Sequence, residues 1–155
     1  MAALVAPQSR GSVTIQSADT SDLPVINPNW LTDPTDVQVA IAAYKRVRAA
    51  FASSSMAPAL QNSTESFPGP SVQTDDQILA VIRNTLMTVY HATTTCRMGK
   101  VGDSNAVVDT KARVFGVSGL RVVDGSSLAL LPPGHPQSLI YAFAEKIADG
   151  IKNGQ

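Results

Sequence analysis

The sequence holds one cysteine, two histidines and one tryptophan, and its 12 basic and 12 acidic side chains cancel. Each scarcity removes a class of function. A lone cysteine, Cys96, closes no internal disulfide, which fits a reducing, cytoplasmic setting. A net charge of zero leaves no basic face for nucleic acid or an acidic membrane. No apolar run approaches the ~20 residues that a spanning helix needs. The opening MAALVAPQSRGS lacks the basic n-region of a signal peptide, so the Asn62-Ser63-Thr64 sequon has no expected route to glycosylation. Neither G-x-G-x-x-G nor G-x-x-x-x-G-K-[ST] occurs, so no strand–turn–helix phosphate cradle is encoded. His91 and Cys96 stand without a second pair of ligands, so no metal site is expected.

What is present reads as an α+β pattern in a single domain over residues 1–155, a length sufficient to bury a core. Ser12–Gln16 alternates polar and apolar residues, as a half-buried strand does. Asp33-Pro34 opens a helix, because Asp caps free N–H groups and Pro at the first helical position forfeits no bond. Val37, Ile41, Tyr44, Val47 and Phe51 then recur at helical spacing. Residues 61–71 have no period and read as a surface loop or lid. Thr74 and Gln77 form a capping box, and the apolar stripe after it runs through Ile78, Leu79, Ile82 and Leu86 to Val89 and Tyr90. Short β-like pieces fall at Ala106–Asp109 and Arg113–Phe115, and Leu120–Asp124 reads as a buried strand. Pro132, Pro133 and Pro136 make a rigid turn around His135. A final helix covers about Gln137 to Ile151, with Leu139, Ile140, Phe143, Ala144, Ile147 and Ile151 facing inward. An antiparallel or mixed sheet packed by about three helices is expected.

Few groups can carry chemistry. A triad of Asp124, Ser126 and His135 lacks the nucleophile elbow that such hydrolases use. Cys96 reads as a small buried hydrophobe. Taken singly, each histidine is more often structural than catalytic. Two neutral imidazoles facing one pocket, however, could hold a substrate hydroxyl and take its proton near neutral pH. The prolines around His135 would hold its imidazole in place.

Several runs resemble the C-terminal part of the glucose–methanol–choline (GMC) oxidoreductase family, in the order that family has them. They are Tyr90-His91-Ala-Thr-Thr-Thr-Cys96-Arg97-Met98-Gly99, then Val107-Val108-Asp109 and Arg113-Val114-Phe115-Gly116-Val117. Leu120-Arg121-Val122-Val123-Asp124-Gly125-Ser126 and Gly134-His135-Pro136-Gln137 follow, the last continuing into Tyr141 to Asp149. The match is closest to the fungal branch that makes secondary metabolites. The resemblance implies catalytic roles for His91 and His135, one of which takes the hydroxyl proton of an alcohol while hydride passes to a flavin. It implies substrate contacts from Tyr90, Thr93, Thr95, Cys96, Met98 and Gln137. It also implies FAD contacts from Asp124, Gly125, His135, Pro136 and Gln137, provided that a flavin-binding half is supplied.

That half, with its nucleotide-binding domain, has no counterpart here, so no cofactor is expected for this chain alone. Met1 and the intact closing helix read as a whole frame. The reading favoured on these grounds is a stand-alone enzyme in which the histidine pair does flavin-independent acid–base work on a small secondary metabolite: cyclisation, dehydration, isomerisation or a pericyclic step. A fragment or subunit of an FAD-dependent alcohol oxidase or dehydrogenase, with His135 as base, is the alternative, and a non-catalytic assembly partner the third. The edge at Leu120–Asp124 and the last helix would need a cover. A homodimer or docking to another protein is therefore expected.

Overall fold

The computed structural model describes residues 2–62 and 64–154. Ser63, the middle residue of the sequon in the 61–71 loop, lies outside the described residues. The chain is a small α+β protein with three helices and a two-stranded antiparallel sheet. Its backbone divides into two compact units, Met1–Thr88 and Val89–Gln155.

In the first unit, β1 (Ser12–Thr14) pairs with β2 (Val25–Asn27) so that Val13 faces Ile26. Gly11 leads into β1 where no side chain fits: a Cβ there would sit 2.4 Å from the Asn27 carbonyl oxygen. Helix α1 (Pro34–Phe51) starts as expected, with the Asp33 carboxylate accepting from the Thr35 N–H at 2.7 Å. Inside its first turn, the buried Asp36 accepts from the Gln8 and Ser9 N–H groups at 2.8 and 2.7 Å. The Ser9 hydroxyl in turn accepts from the Thr32 and Asp33 N–H groups. This exchange satisfies free donors at the helix start and ties the N-terminal segment to it.

Helix α2 (Asp75–Thr85) carries the complete capping box of Thr74 and Gln77 and packs on α1. Ile78, 1% exposed, is its buried contact. The helix stops sooner than its apolar stripe. Asn84 and Thr85 are weak helix formers, Leu86 turns extended, and Tyr90 takes a positive φ of 62°. Val89 and Tyr90 therefore lie outside any helix, and both are exposed. Arg48 fastens the 61–71 loop to α1. It pairs with Glu65 at 2.8 Å, donates to the Val72 and Gly69 carbonyls, and lies 5.0 Å over the Tyr44 ring.

The second unit has little regular structure before α3 (Gln137–Lys152). Its backbone is held by isolated bridges, Met98 with Val108, Val108 with Val114 and Arg113 with Arg121, around the fully buried Val108. Leu120–Asp124 is not the buried strand expected. Only Arg121 bridges, and Leu120 is 49% exposed. The Val114 N–H donates to Leu120 O and the Val122 N–H to Ala112 O, a short pairing around one bridge, and a strand needs a ladder to be one. Along α3, Ile147 is buried, and Ile140, Phe143 and Ala144 are half-buried. Leu139 and Ile151 are exposed rather than inward. Among the described residues no helix is long and apolar enough to cross a membrane.

The Asp36 cluster has a pH signature. Burial opposes the charge of the Asp36 carboxylate, but hydrogen bonds from Ser9 and Gln8 and the nearby Arg10 charge hold its pKa below the ordinary carboxylate value. Its contribution is complete above that ordinary value and is lost as pH falls through the lower folded one. Asp36→Asn is expected to cost about 1–3 kcal/mol near neutral pH and to flatten the acid limb of thermal stability. An acid limb as steep as the parent's would contradict this.

Candidate active site

His91 and His135 are 44 positions apart in the sequence, yet their rings meet edge to face, with centroids 5.1 Å apart and planes at 83°. Three backbone bonds bring this about. The N–H groups of Thr94, Cys96 and Met98 donate to the carbonyls of Gly125, Ser126 and Ser127 at 3.2, 2.9 and 2.9 Å. Alternate residues of one segment thus lie along three consecutive carbonyls of a 3-10 turn, Gly125–Ser127. Asp124 caps that turn, accepting from the Ser126 N–H at 2.7 Å, and the buried Ser127 hydroxyl donates to the Val122 carbonyl at 2.8 Å. The Ser126 hydroxyl bonds to Asp124 as well.

Gly125 sits where the two histidine-bearing stretches converge. A Cβ there would lie 3.4 Å from the Ala92 carbonyl, 3.4 Å from Ile140 Cδ1 and 3.5 Å from Thr93 Cγ2. The chain after Leu128 reaches the Pro132–Pro136 turn, where Gly134 takes a φ of 84° that favours glycine. Pro136 is buried, which anchors the turn, while His135 beside it is exposed and His91 is half-buried.

The two rings open on a cleft of about 550 Å³ that Tyr90, Pro136 and Gln137 also line. Val89, Ile140, Tyr141 and Ala144 complete its wall. Of the expected substrate contacts, Tyr90 and Gln137 thus stand with the histidines. Thr93, Thr95, Cys96 and Met98 belong to the clipped segment and do not line the cleft. Asp124 and Gly125 form the turn behind it. Tyr141, which the sequence reading had not singled out, was detectable. Gln137, Ile140, Tyr141 and Ala144 are spaced i, i+3, i+4 and i+7, one face of a helix, but that spacing marks a core stripe equally well.

Charges of this unit are held outside the cleft. Arg97 pairs with Asp103 and Arg113 with Asp109, at 2.7 and 2.6 Å. Hydrogen bonding from the Asn105 N–H and from Arg97 lowers the Asp103 pKa. At Asp109 burial opposes the charge, and Arg113 with the Arg113 and Lys111 N–H groups overcomes it. Among the described residues no group of three or more His, Cys, Asp or Glu side chains is placed to hold a metal.

The model of the GMC oxidoreductase family matches residues 7–144. The chain belongs to the GMC oxidoreductase family. Among curated GMC relatives, patulin synthase of Aspergillus clavatus is 57% identical over 148 residues, which is 96% of this chain and 23% of that protein. Versicolorin B synthase of Aspergillus parasiticus is 47% identical over 154 residues, 99% of this chain and 24% of that protein. An FAD-dependent oxidoreductase from Chaetomium thermophilum has the same fold with a TM-score of 0.86 at 36% identity, over 97% of this chain and 26% of its own. The chain spans about a quarter of the length of the relatives it matches.

FAD, which the family implies, fits these residues in part. A flat ring suits an uncharged cleft with the Gln137 amide at its edge. The diphosphate does not suit the starts of α1 and α2, which open at Asp33-Pro34 and Thr74-Asp75-Asp76, whereas α3 opens at Pro136 with neither an acidic first turn nor a side-chain cap bond and keeps free N–H donors. Carboxylates at a helix N-terminus occupy the place of an anion instead of receiving one.

Gly125 supplies a test of the convergence. Gly125→Ala adds only ordinary contacts and is expected to change stability by less than about 1 kcal/mol. Gly125→Val is expected to cost about 1–3 kcal/mol and to remove the proton–proton NMR contact between the imidazoles. If both contact and stability survive valine, Gly125 does not set the approach.

Proposed function

We infer that His91 and His135 form the acid–base pair of an enzyme acting on a hydroxyl group of a small secondary metabolite. The observation that carries this reading is the edge-to-face contact of the two imidazoles at 5.1 Å in an open cleft. A hydroxyl placed there meets two groups that either accept or donate a proton. His135 is the base. It is exposed, so a proton it takes can pass on to water, and its turn is fixed by Pro136. His91, half-buried and hung from the clipped segment, holds the hydroxyl oxygen. Gln137 offers an amide to a second polar atom of the ligand.

In one reading, supported by the FAD-dependent neighbour, the reaction is an FAD-dependent alcohol oxidation. FAD, when bound, supplies the acceptor for the hydride that leaves the carbinol carbon. This chain's residues orient the hydroxyl and remove its proton. The portion that holds the dinucleotide would cover the apolar side chains exposed here, among them Leu120, Leu130 (82% exposed), Leu139 and Ile151. A second reading, proton chemistry with no net oxidation, is favoured by the name "synthase" of two relatives. The same two imidazoles serve it, since a dehydration or ring closure needs only placed acids and bases.

His135→Ala is expected to lower kcat about 10²–10⁴-fold, the range for a general base. His91→Ala should act on both kcat and KM, since it positions the hydroxyl. Activity within about threefold of the parent after His135→Ala would remove His135 as base. Absorption of the intact protein in the flavin band, bleached by substrate, supports the oxidative reading. Turnover by a flavin-free preparation supports the other.

A further inference from the structure

We propose that Asn62, in the loop between α1 and α2, is the acceptor of an N-linked oligosaccharide. The sequence alone gave its sequon no expected route to glycosylation, and that expectation leaned on the opening residues MAALVAPQSRGS. The chain spans about a quarter of the relatives it matches, so its first residues say nothing about a leader. The acid–base reading of the histidines is not involved, since the site lies within the first unit.

Three observations carry the proposal. First, of six asparagines only Asn62 begins an Asn-x-Ser/Thr run, with a serine and not a proline between it and Thr64. Second, the local backbone has the shape that such an acceptor needs. Asn62 Oδ1 accepts from the Thr64 N–H at 3.0 Å. This Asx turn brings residue 64, whose hydroxyl the transferring enzyme reads, back beside the carboxamide. The bond engages the oxygen end of the carboxamide and not Nδ2, the atom that reacts. It joins residues two apart, so it is available to a nascent chain before the fold is complete. Third, the finished fold leaves room for the product. Asn62 and Thr64 are both exposed, and the loop is anchored elsewhere. Arg48 donates to both Glu65 carboxylate oxygens at 3.0 and 2.8 Å, and to the Val72 carbonyl at 2.6 Å. A bulky hydrophilic chain on Asn62 therefore extends into solvent without displacing buried side chains.

The donor class is a lipid-pyrophosphate-linked oligosaccharide. Asn62 Nδ2 forms a bond to the sugar C1 and gives up one proton, while the C1–O bond breaks and its electron pair leaves with the pyrophosphate. Nothing is oxidised or reduced. Such donors are used in the lumen of the secretory pathway, so the protein passes through it. Its lone thiol, the half-buried Cys96, closes no internal disulfide there.

The test uses the intact protein purified from the organism that produces it, treated with peptide:N-glycosidase in heavy-oxygen water. The peptide that carries residue 62 should then hold a heavy-oxygen-labelled aspartate at that position. Thr64→Ala should leave this peptide unlabelled, and Thr64→Ser, which keeps the hydroxyl, should retain the label. Asn62→Gln should migrate faster than the parent on a denaturing gel before treatment and level with it afterwards. Melting temperatures of the treated variants equal to that of the treated parent show that a lost label is not misfolding. An unlabelled peptide in the parent overturns the proposal. Label that appears without the glycosidase, or that persists in Thr64→Ala, reports spontaneous deamidation and overturns it equally.

Discussion

Three backbone hydrogen bonds, from Thr94, Cys96 and Met98 to the carbonyls of Gly125, Ser126 and Ser127, are the constraint on which the site depends. Among its described residues the second unit has no sheet to organise it, only isolated bridges. A side-chain pair assembled from two loops would be loose unless one loop were tied to the other. The clip does this at the backbone, where no side-chain substitution can easily undo it, and the Asp124 cap and the buried Ser127 hydroxyl stiffen the turn that receives it. His91 lies just before the clipped segment, and His135 lies where the chain leaves the turn for α3. Their contact follows from two short connections on one clamp. The same arrangement gives Asp124 and Gly125 a structural reason to be what they are: one caps the turn, and the other lets Ile140 and Thr93 approach it.

Features decided by neighbouring residues were legible in the sequence. Asp33-Pro34 and the Thr74–Gln77 box specify where α1 and α2 begin, because a cap acts over three or four positions. Features decided by distant partners were not. The apolar period after Ile78 continues to Tyr90, but α2 stops at Thr85, since periodicity records which side chains are apolar and not whether the backbone holds its helix. Leu120–Asp124 has the composition of a buried strand, and a strand exists only where another segment pairs with it. The pairing of the histidines came from motif resemblance, and the one local physical signal was the run of prolines that fixes the backbone around His135. Tyr141 was hidden because spacing alone does not distinguish a helix face that enters a core from one that walls a cleft.

Charge is handled consistently across the molecule. Arg48 with Glu65, Arg97 with Asp103 and Arg113 with Asp109 are each closed locally, and Asp36 is consumed by backbone donors. The two pairs of the second unit, open to solvent on the arginine side, contribute little stability. None of these charged groups lines the cleft, where the two imidazoles sit with aromatic and aliphatic side chains and the Gln137 amide. The chain spans about a quarter of the relatives it matches, and in the proposed reading the cleft is one wall of a larger site, with His91 and His135 on that wall.

The central claim is that His91 and His135 act as one unit. A double-mutant cycle in kcat/KM on the intact protein, with His91→Ala, His135→Ala and both together, tests it most directly. Groups that share one proton transfer are strongly non-additive. The double variant is expected to lose little more than His135→Ala alone. Losses that multiply, as for two independent residues, would contradict it.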